Sequence, residues 1–168
     1  MNQTWIDIKP VIKAARSASV QSLTKFGAYV MNTARAMLRP ARQLPLAAMN
    51  SMQRSAYLRR VAIAKRRGQP IPKRPTESSR PGEPPLSQTG TLKRGVLFGV
   101  NEQELSVAIG PALLPGHAGA RALEALEVGG PTPTAQGAVI TVKARPFMGP
   151  AFQQELPRAA DLWANSIQ

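Results

Sequence analysis

The sequence predicts an α+β fold. Long basic helices come first, then a proline-rich extended arm. A small antiparallel sheet of about three to four strands follows, packed by a short helix and a C-terminal helix. Three observations predict this. Apolar residues recur at steps of three and four in the first part of the chain and at steps of two after residue 95. Between the two periods lies a stretch dense in proline. Charge divides at the same place: residues 1–80 hold 16 Lys or Arg against Asp7 and Glu77, a net of +14, while residues 81–168 hold 6 against 7 Asp or Glu, a net of −1. The expected organisation is a basic helical region over 1–68, the arm over 69–88 and an α+β core over 89–168, forming one domain with the N-terminal helix packed on the sheet.

Pro10 fits the first turn of a helix, with Asp7 before it as a cap. Ile12, Ala15, Ser19, Leu23, Phe26, Val30, Ala34 and Met37 or Leu38 then form one stripe on a helix of roughly 28 residues, ~42 Å long. Gly27 is a weak point in its middle, and Pro40 ends it. Pro45 opens a second helical stretch that runs through Arg67, with Gly68 as its stop. Leu46, Met49, Met52 and Ala56 give one stripe there, continued by Tyr57, Leu58, Val61 and Ala64. Residues 69–88 are too rich in proline for helix and read as an extended, polyproline-like segment.

Val96, Phe98 and Val100 alternate, as do Leu105, Val107 and Ile109 beyond Asn101-Glu102-Gln103, which reads as a hairpin. Residues 111–119 read as loop, Arg121–Val128 as a short helix closed by Gly129-Gly130-Pro131, and Ala138–Ala144 as a third strand. Gly149-Pro150 starts the last helix, with Phe152, Leu156, Ala159, Trp163 and Ile167 on its apolar face and Pro157 expected to bend it.

Composition bounds the chemistry. With no cysteine, disulfides, thiolate metal sites and cysteine nucleophiles are excluded. His117 is the single histidine, so one subunit cannot build a multi-histidine metal site. Glu124 and Glu127, three apart on the short helix, read as solvated or ion-paired surface groups. No phosphate loop, nucleophile elbow or zinc-protease pattern occurs, and no set of residues supplies a nucleophile, a base and an oxyanion site together. The expectation is a protein that is not an enzyme and uses no cofactor, metal or small-molecule substrate. No apolar run approaches the ~20 residues that cross a bilayer, and no secretory signal is expected.

The cationic half is the candidate site. Arg54, Arg59, Arg60, Lys65, Arg66, Arg67, Lys73 and Arg74 form a cluster suited to DNA or to an acidic partner surface. The last turn of the second helix also favours such cations through the helix dipole. Rings for stacking are sparse, and no helix-turn-helix, zinc-finger or RNA-recognition pattern is present, so any DNA contact is expected to be blind to sequence.

Four segments carry a resemblance. Arg80-Pro-Gly-Glu-Pro-Pro-Leu-Ser-Gln-Thr-Gly-Thr-Leu-Lys-Arg94 is similar to the PGEPP…TG-L-(K/R) segment of neck and tail-completion proteins of tailed double-stranded DNA bacteriophages. Val107-Ala-Ile-Gly-Pro111 resembles the second strand of that family, Ala122-Leu-Glu-Ala-Leu-Glu-Val-Gly-Gly130 its LE-GG/GT helix, and Arg145-Pro-Phe-Met-Gly-Pro-Ala151 its RPF-PA junction. The resemblance spans roughly residues 79–155. It departs from the family at Val128-Gly129-Gly130, where an aromatic-Gly-Thr is more usual.

The resemblance implies a structural virion protein assembled in the host cytoplasm. Such a subunit joins a homo-oligomeric ring, often a hexamer, at the capsid-to-tail junction around the DNA channel. Tail-completion, tail-terminator and head-tail connector roles all fit. Its expected partners are copies of itself, neighbouring neck or tail proteins, and non-specifically the packaged DNA, with no membrane. The arm residues Pro81, Gly82, Pro84, Pro85 and Leu86 are expected to lie across an adjacent subunit. Thr89-Gly90 turns the arm into the first strand, and Phe147 anchors the end of the third strand in the core. The alternative from another class is a free nucleic-acid-binding protein without sequence preference.

Overall fold

The computed structural model describes residues 9–112, 120–134 and 137–166, and it is α+β as the periodicities predict. The first helix, α1, spans Lys9–Met37, with Pro10 in its first turn and Pro40 just beyond its end. Its inner stripe is Leu23, Phe26, Val30 and Ala34, continued by Leu38, all buried. The stripe does not extend to the helix start as expected, since Ile12 is 57% exposed. Asp7, the expected cap, lies outside the described residues.

The hairpin forms as expected, although Leu105 falls in its turn and not in the second strand. Strands β1 (Val96–Asn101) and β2 (Ser106–Pro111) pair antiparallel, with Val100 opposite Val107 and Phe98 opposite Ile109. The Asn101 side chain closes the turn by accepting from the backbone N–H groups of Gln103 and Glu104. Between the arm and β1 the chain makes one turn of helix, α3 (Thr91–Gly95), which the sequence reading lacked. Gly90 precedes it at φ 77°, the left-handed conformation that a change of direction there requires.

Gly27 is the point of closest approach between α1 and the hairpin, rather than a weak point in the helix. A Cβ there would stand 2.7 Å from Cδ2 of Phe98 and 3.0 Å from Cγ2 of Val107. Arg16, farther along the same helix, donates to the carbonyls of Glu102 and Gln103 and so ties α1 to the hairpin turn.

On its other side α1 packs against the last helix, α5 (Met148–Ala164). The core is Phe26, Val30, Ala34, Leu38, Val96, Phe147 and Ala151, with Met148, Ala159 and Leu162 at its margin. The face of α5 differs from the expected one by a rotation of about one residue. Ala151, Glu155, Ala159 and Leu162 turn inward, whereas Leu156 and Trp163 are exposed. Phe152 lies at the boundary, its ring edge-on to Phe26 at 5.7 Å between centroids. The small residues allow α1 and α5 to approach, and the larger residues cannot fit between them. Glu155 is accepted inside because the Thr33 hydroxyl donates to it at 2.6 Å and Arg158 pairs with it at 2.9 Å. Helix α5 continues through Pro157 to Ala164. Ile167 lies outside the described residues.

The third and fourth strands correct the expectation of a single sheet. Strands β3 (Gly130–Pro133) and β4 (Val139–Val142) pair with each other and form a second two-stranded sheet, separate from β1–β2. The stretch Gly-Pro-Thr-Pro begins with Gly130-Pro131, which the sequence marks as the close of the short helix. It forms a strand because Pro131 and Pro133 fall at alternate positions, so the N–H groups they lack would have pointed away from β4. Helix α4 (Ala120–Val128) precedes β3, close to its expected bounds.

Two corrections concern the first half. The second helix, α2, spans Ser51–Arg66 rather than starting at Pro45. Asn50 caps it: its side chain accepts from the Gln53 N–H, and the Gln53 side chain accepts from the Asn50 N–H. Pro45 instead introduces a short 3-10 turn over Leu46–Ala48. Gly68, at φ 61°, follows the end of α2 as expected.

Candidate functional site

Two assemblies arise from the residues singled out by the sequence. The first is a junction built by the motif segments. Glu127, at the end of α4, accepts from three successive backbone N–H groups at the start of α5: Phe147 at 3.1 Å, Met148 at 3.2 Å and Gly149 at 2.7 Å. These are orphan donors of a helix N-terminus, where the dipole also favours a carboxylate. Glu127 is therefore a structural cap and not the solvated surface group expected. Phe147 is buried, as its anchoring role required.

The arm joins the same place. Gly82 N–H donates to the Ala144 carbonyl, Arg145 Nε donates to the Ser79 carbonyl, and Arg145 N–H donates to the Leu126 carbonyl at 2.6 Å. Three of the four motif segments thus converge, and the fourth, on β2, covers α1 in the hairpin. The arm residues Pro81 and Gly82 are exposed, Pro84 and Leu86 are half-buried, and Pro85 is buried within its own subunit. The structure thus ties the arm to its own body, Gly82 included, while Pro81 and Gly82 stay exposed to solvent.

The second assembly is the excursion that carries the cations. Residues 39–44 lead out of the core and residues 75–88 return beside them. Leu44 N–H donates to the Pro75 carbonyl, Glu77 N–H to the Arg42 carbonyl, and Ala41 N–H to the Ser87 carbonyl. An antiparallel bridge joins Gln43 to Thr76, and a parallel one joins Pro40 to Ser87. Helix α2 sits at the far end of this stem and packs appreciably on no other helix or strand. Ala64 is its one buried residue, with Tyr57 and Val61 half-buried on the same side. Met52 is 80% exposed, and Leu58 and Ile63 are also open.

All eight predicted cations belong to this excursion. Arg54, Arg59, Arg60, Lys65, Arg66, Arg67 and Lys73 are exposed, and Arg74 is half-buried. The eight side chains take part in no hydrogen bond or ion pair among the described residues. The structure adds three arginines that sequence reasoning missed. Arg39, Arg42 and Arg80 line a cleft of about 450 Å³ between the two strands of the stem, together with Glu77 and Glu83. Both carboxylates are occupied by backbone, since Glu77 accepts from Arg42 N–H and Glu83 from Arg80 N–H. The three guanidinium groups remain without a partner among the described residues. The signal was the spacing Arg80-Pro-Gly-Glu83, a turn in which the acid serves its own backbone.

No group of acidic, histidine or cysteine side chains able to hold a metal occurs among the described residues, and His117 lies outside them. No helix among the described residues is long and apolar enough to cross a membrane. Neither a protein-family model nor a curated protein nor a solved structure matches this chain.

Proposed function

We propose that the chain is a structural subunit of a phage neck or tail end, working in a homo-oligomeric ring through which the genome passes. The observation that carries this reading is the separation of labour in the fold. A compact body holds the motif segments, and a cationic helix stands away from it on a hydrogen-bonded stem, with its charges unpaired. A helix that adds so little to its own core is retained for contact with something else. The exposed Leu156 and Trp163 on α5 and the open Pro81-Gly82 of the arm are surfaces for a neighbouring copy.

Native mass spectrometry of the full chain, alone and with virion neck components, tests this reading. A closed ring of identical subunits, together with the protein in purified particles, is the expected result. A subunit that stays monomeric under every condition and is missing from particles overturns it. Nucleic-acid binding by such a lone subunit would favour the free binding protein instead.

A further inference from the structure

The six cations from Arg54 to Arg67, five on α2 and Arg67 at its C-cap, do not share one face. At 3.6 residues per turn, Arg59 and Arg66 form one row, Arg54 and Lys65 a second, and Arg60 and Arg67 a third, spaced about a third of a turn apart. The half-buried side, marked by Tyr57, Val61 and Ala64, falls between the second and third rows. The row of Arg59 and Arg66 is therefore the crest of the helix, farthest from its own chain, and the other two rows are its flanks. A flat anionic surface that meets the crest reaches neither flank. A partner that engages all three rows must be concave and anionic on both walls.

We infer that α2 lies in a groove of double-stranded nucleic acid, with its crest toward the floor and its flanks toward the two phosphate backbones; this rests on the DNA-channel reading above. The dimensions agree. A helix with side chains is about 10–12 Å across, and the major groove of B-form DNA is about 12 Å wide. The 16 residues of α2 extend ~24 Å, the length of roughly seven base pairs. A duplex fits better than a single strand, because Tyr57 is the lone aromatic of residues 39–88 and lies on the half-buried side. Single-strand binders stack bases on exposed rings, and α2 offers none. Exposed Met52 and Ile63 beside the crest add apolar contact at the floor of the groove.

The test is fluorescence anisotropy of the full chain on a random-sequence duplex of about 25 base pairs across a salt series. A single strand of equal length and poly-glutamate serve as competitors. The four flank cations on phosphates give a logarithmic salt slope of about −4, and roughly a hundred-fold weakening between 50 and 200 mM salt. The flank pairs R54A/K65A and R60A/R67A should each flatten the slope by about 2, and the crest pair R59A/R66A should weaken binding with little change of slope. Unchanged circular dichroism would show that the variants fold. Loss confined to one row, competition by poly-glutamate at equal charge, preference for the single strand, or no duplex binding at 50 mM salt overturns the inference. The masses of the same preparations separate the two readings. A ring that ignores duplex refutes the groove contact alone, and a monomer that binds duplex through all three rows refutes the ring alone.

Discussion

Glu127 of α4 accepts a hydrogen bond from the backbone N–H of Gly149 at 2.7 Å, and so ties the end of one helix to the beginning of another 22 residues later. Glu127→Ala removes acceptors from three N–H groups at once. A loss of about 1–3 kcal/mol is expected in denaturant unfolding, with Glu127→Gln losing less. Equal stability of the three proteins would show that water serves the cap as well as the carboxylate does.

Gly27 and Phe98 form a steric pair. In isolation Gly27→Ala would gain about 1 kcal/mol of helix propensity. Against Phe98 the added methyl meets the ring, and overpacking of this kind costs about 1–3 kcal/mol. Gly27→Ala should therefore destabilise the protein in the wild-type background and stabilise it in a Phe98→Ala background. A double-mutant cycle by thermal unfolding reads this reversal of sign, and the same sign in both backgrounds would refute the pairing.

Thr33 and Glu155 are buried partners across α1 and α5. Thr33→Val leaves a buried carboxylate short of a donor and should cost about 1–3 kcal/mol. Combining it with Glu155→Met removes the charge as well and should recover most of the loss. Arg158→Ala should matter less, because its side chain is 62% exposed and the pair is screened by solvent. Chemical denaturation of the four proteins decides the order.

The stem predicts a viable deletion. Leu44 N–H and the Pro75 carbonyl lie 2.8 Å apart, so a two-residue Asn-Gly turn can replace residues 45–74. The shortened chain should keep its thermal midpoint within a few degrees and lose binding to duplex. Collapse of the fold would show that α2 supports the core after all.

Much of the architecture was legible in the sequence because it follows from period and punctuation. The stripe from Leu23 to Leu38 and the pairing of two strands around Asn101 come from apolar spacing alone. The start of α2 is legible in Asn50 with Gln53, a quieter signal than Pro45 five residues before it. The inward face of α5 was hidden because size misleads there. The large residues looked like core, yet close helix packing selected Ala151 and Ala159. Strand β3 was hidden because proline reads as a breaker until its alternate spacing is placed against a partner. In the candidate site, the abundance of cations was plain from the sequence. Their separation into rows depended on knowing which side Ala64 faces, and the cleft of Arg39, Arg42 and Arg80 depended on two distant segments meeting.

The stem also sets how tension travels. Both strands of the stem run from the body to α2, so a pull on α2 puts them under tension side by side and does not draw Leu44 away from Pro75. Each rung adds about 1 kcal/mol net and holds the two strands in register while they share the load. A force met by α2 would therefore reach the body through two points of attachment at once, at Arg39 beyond α1 and at Ser87 before α3.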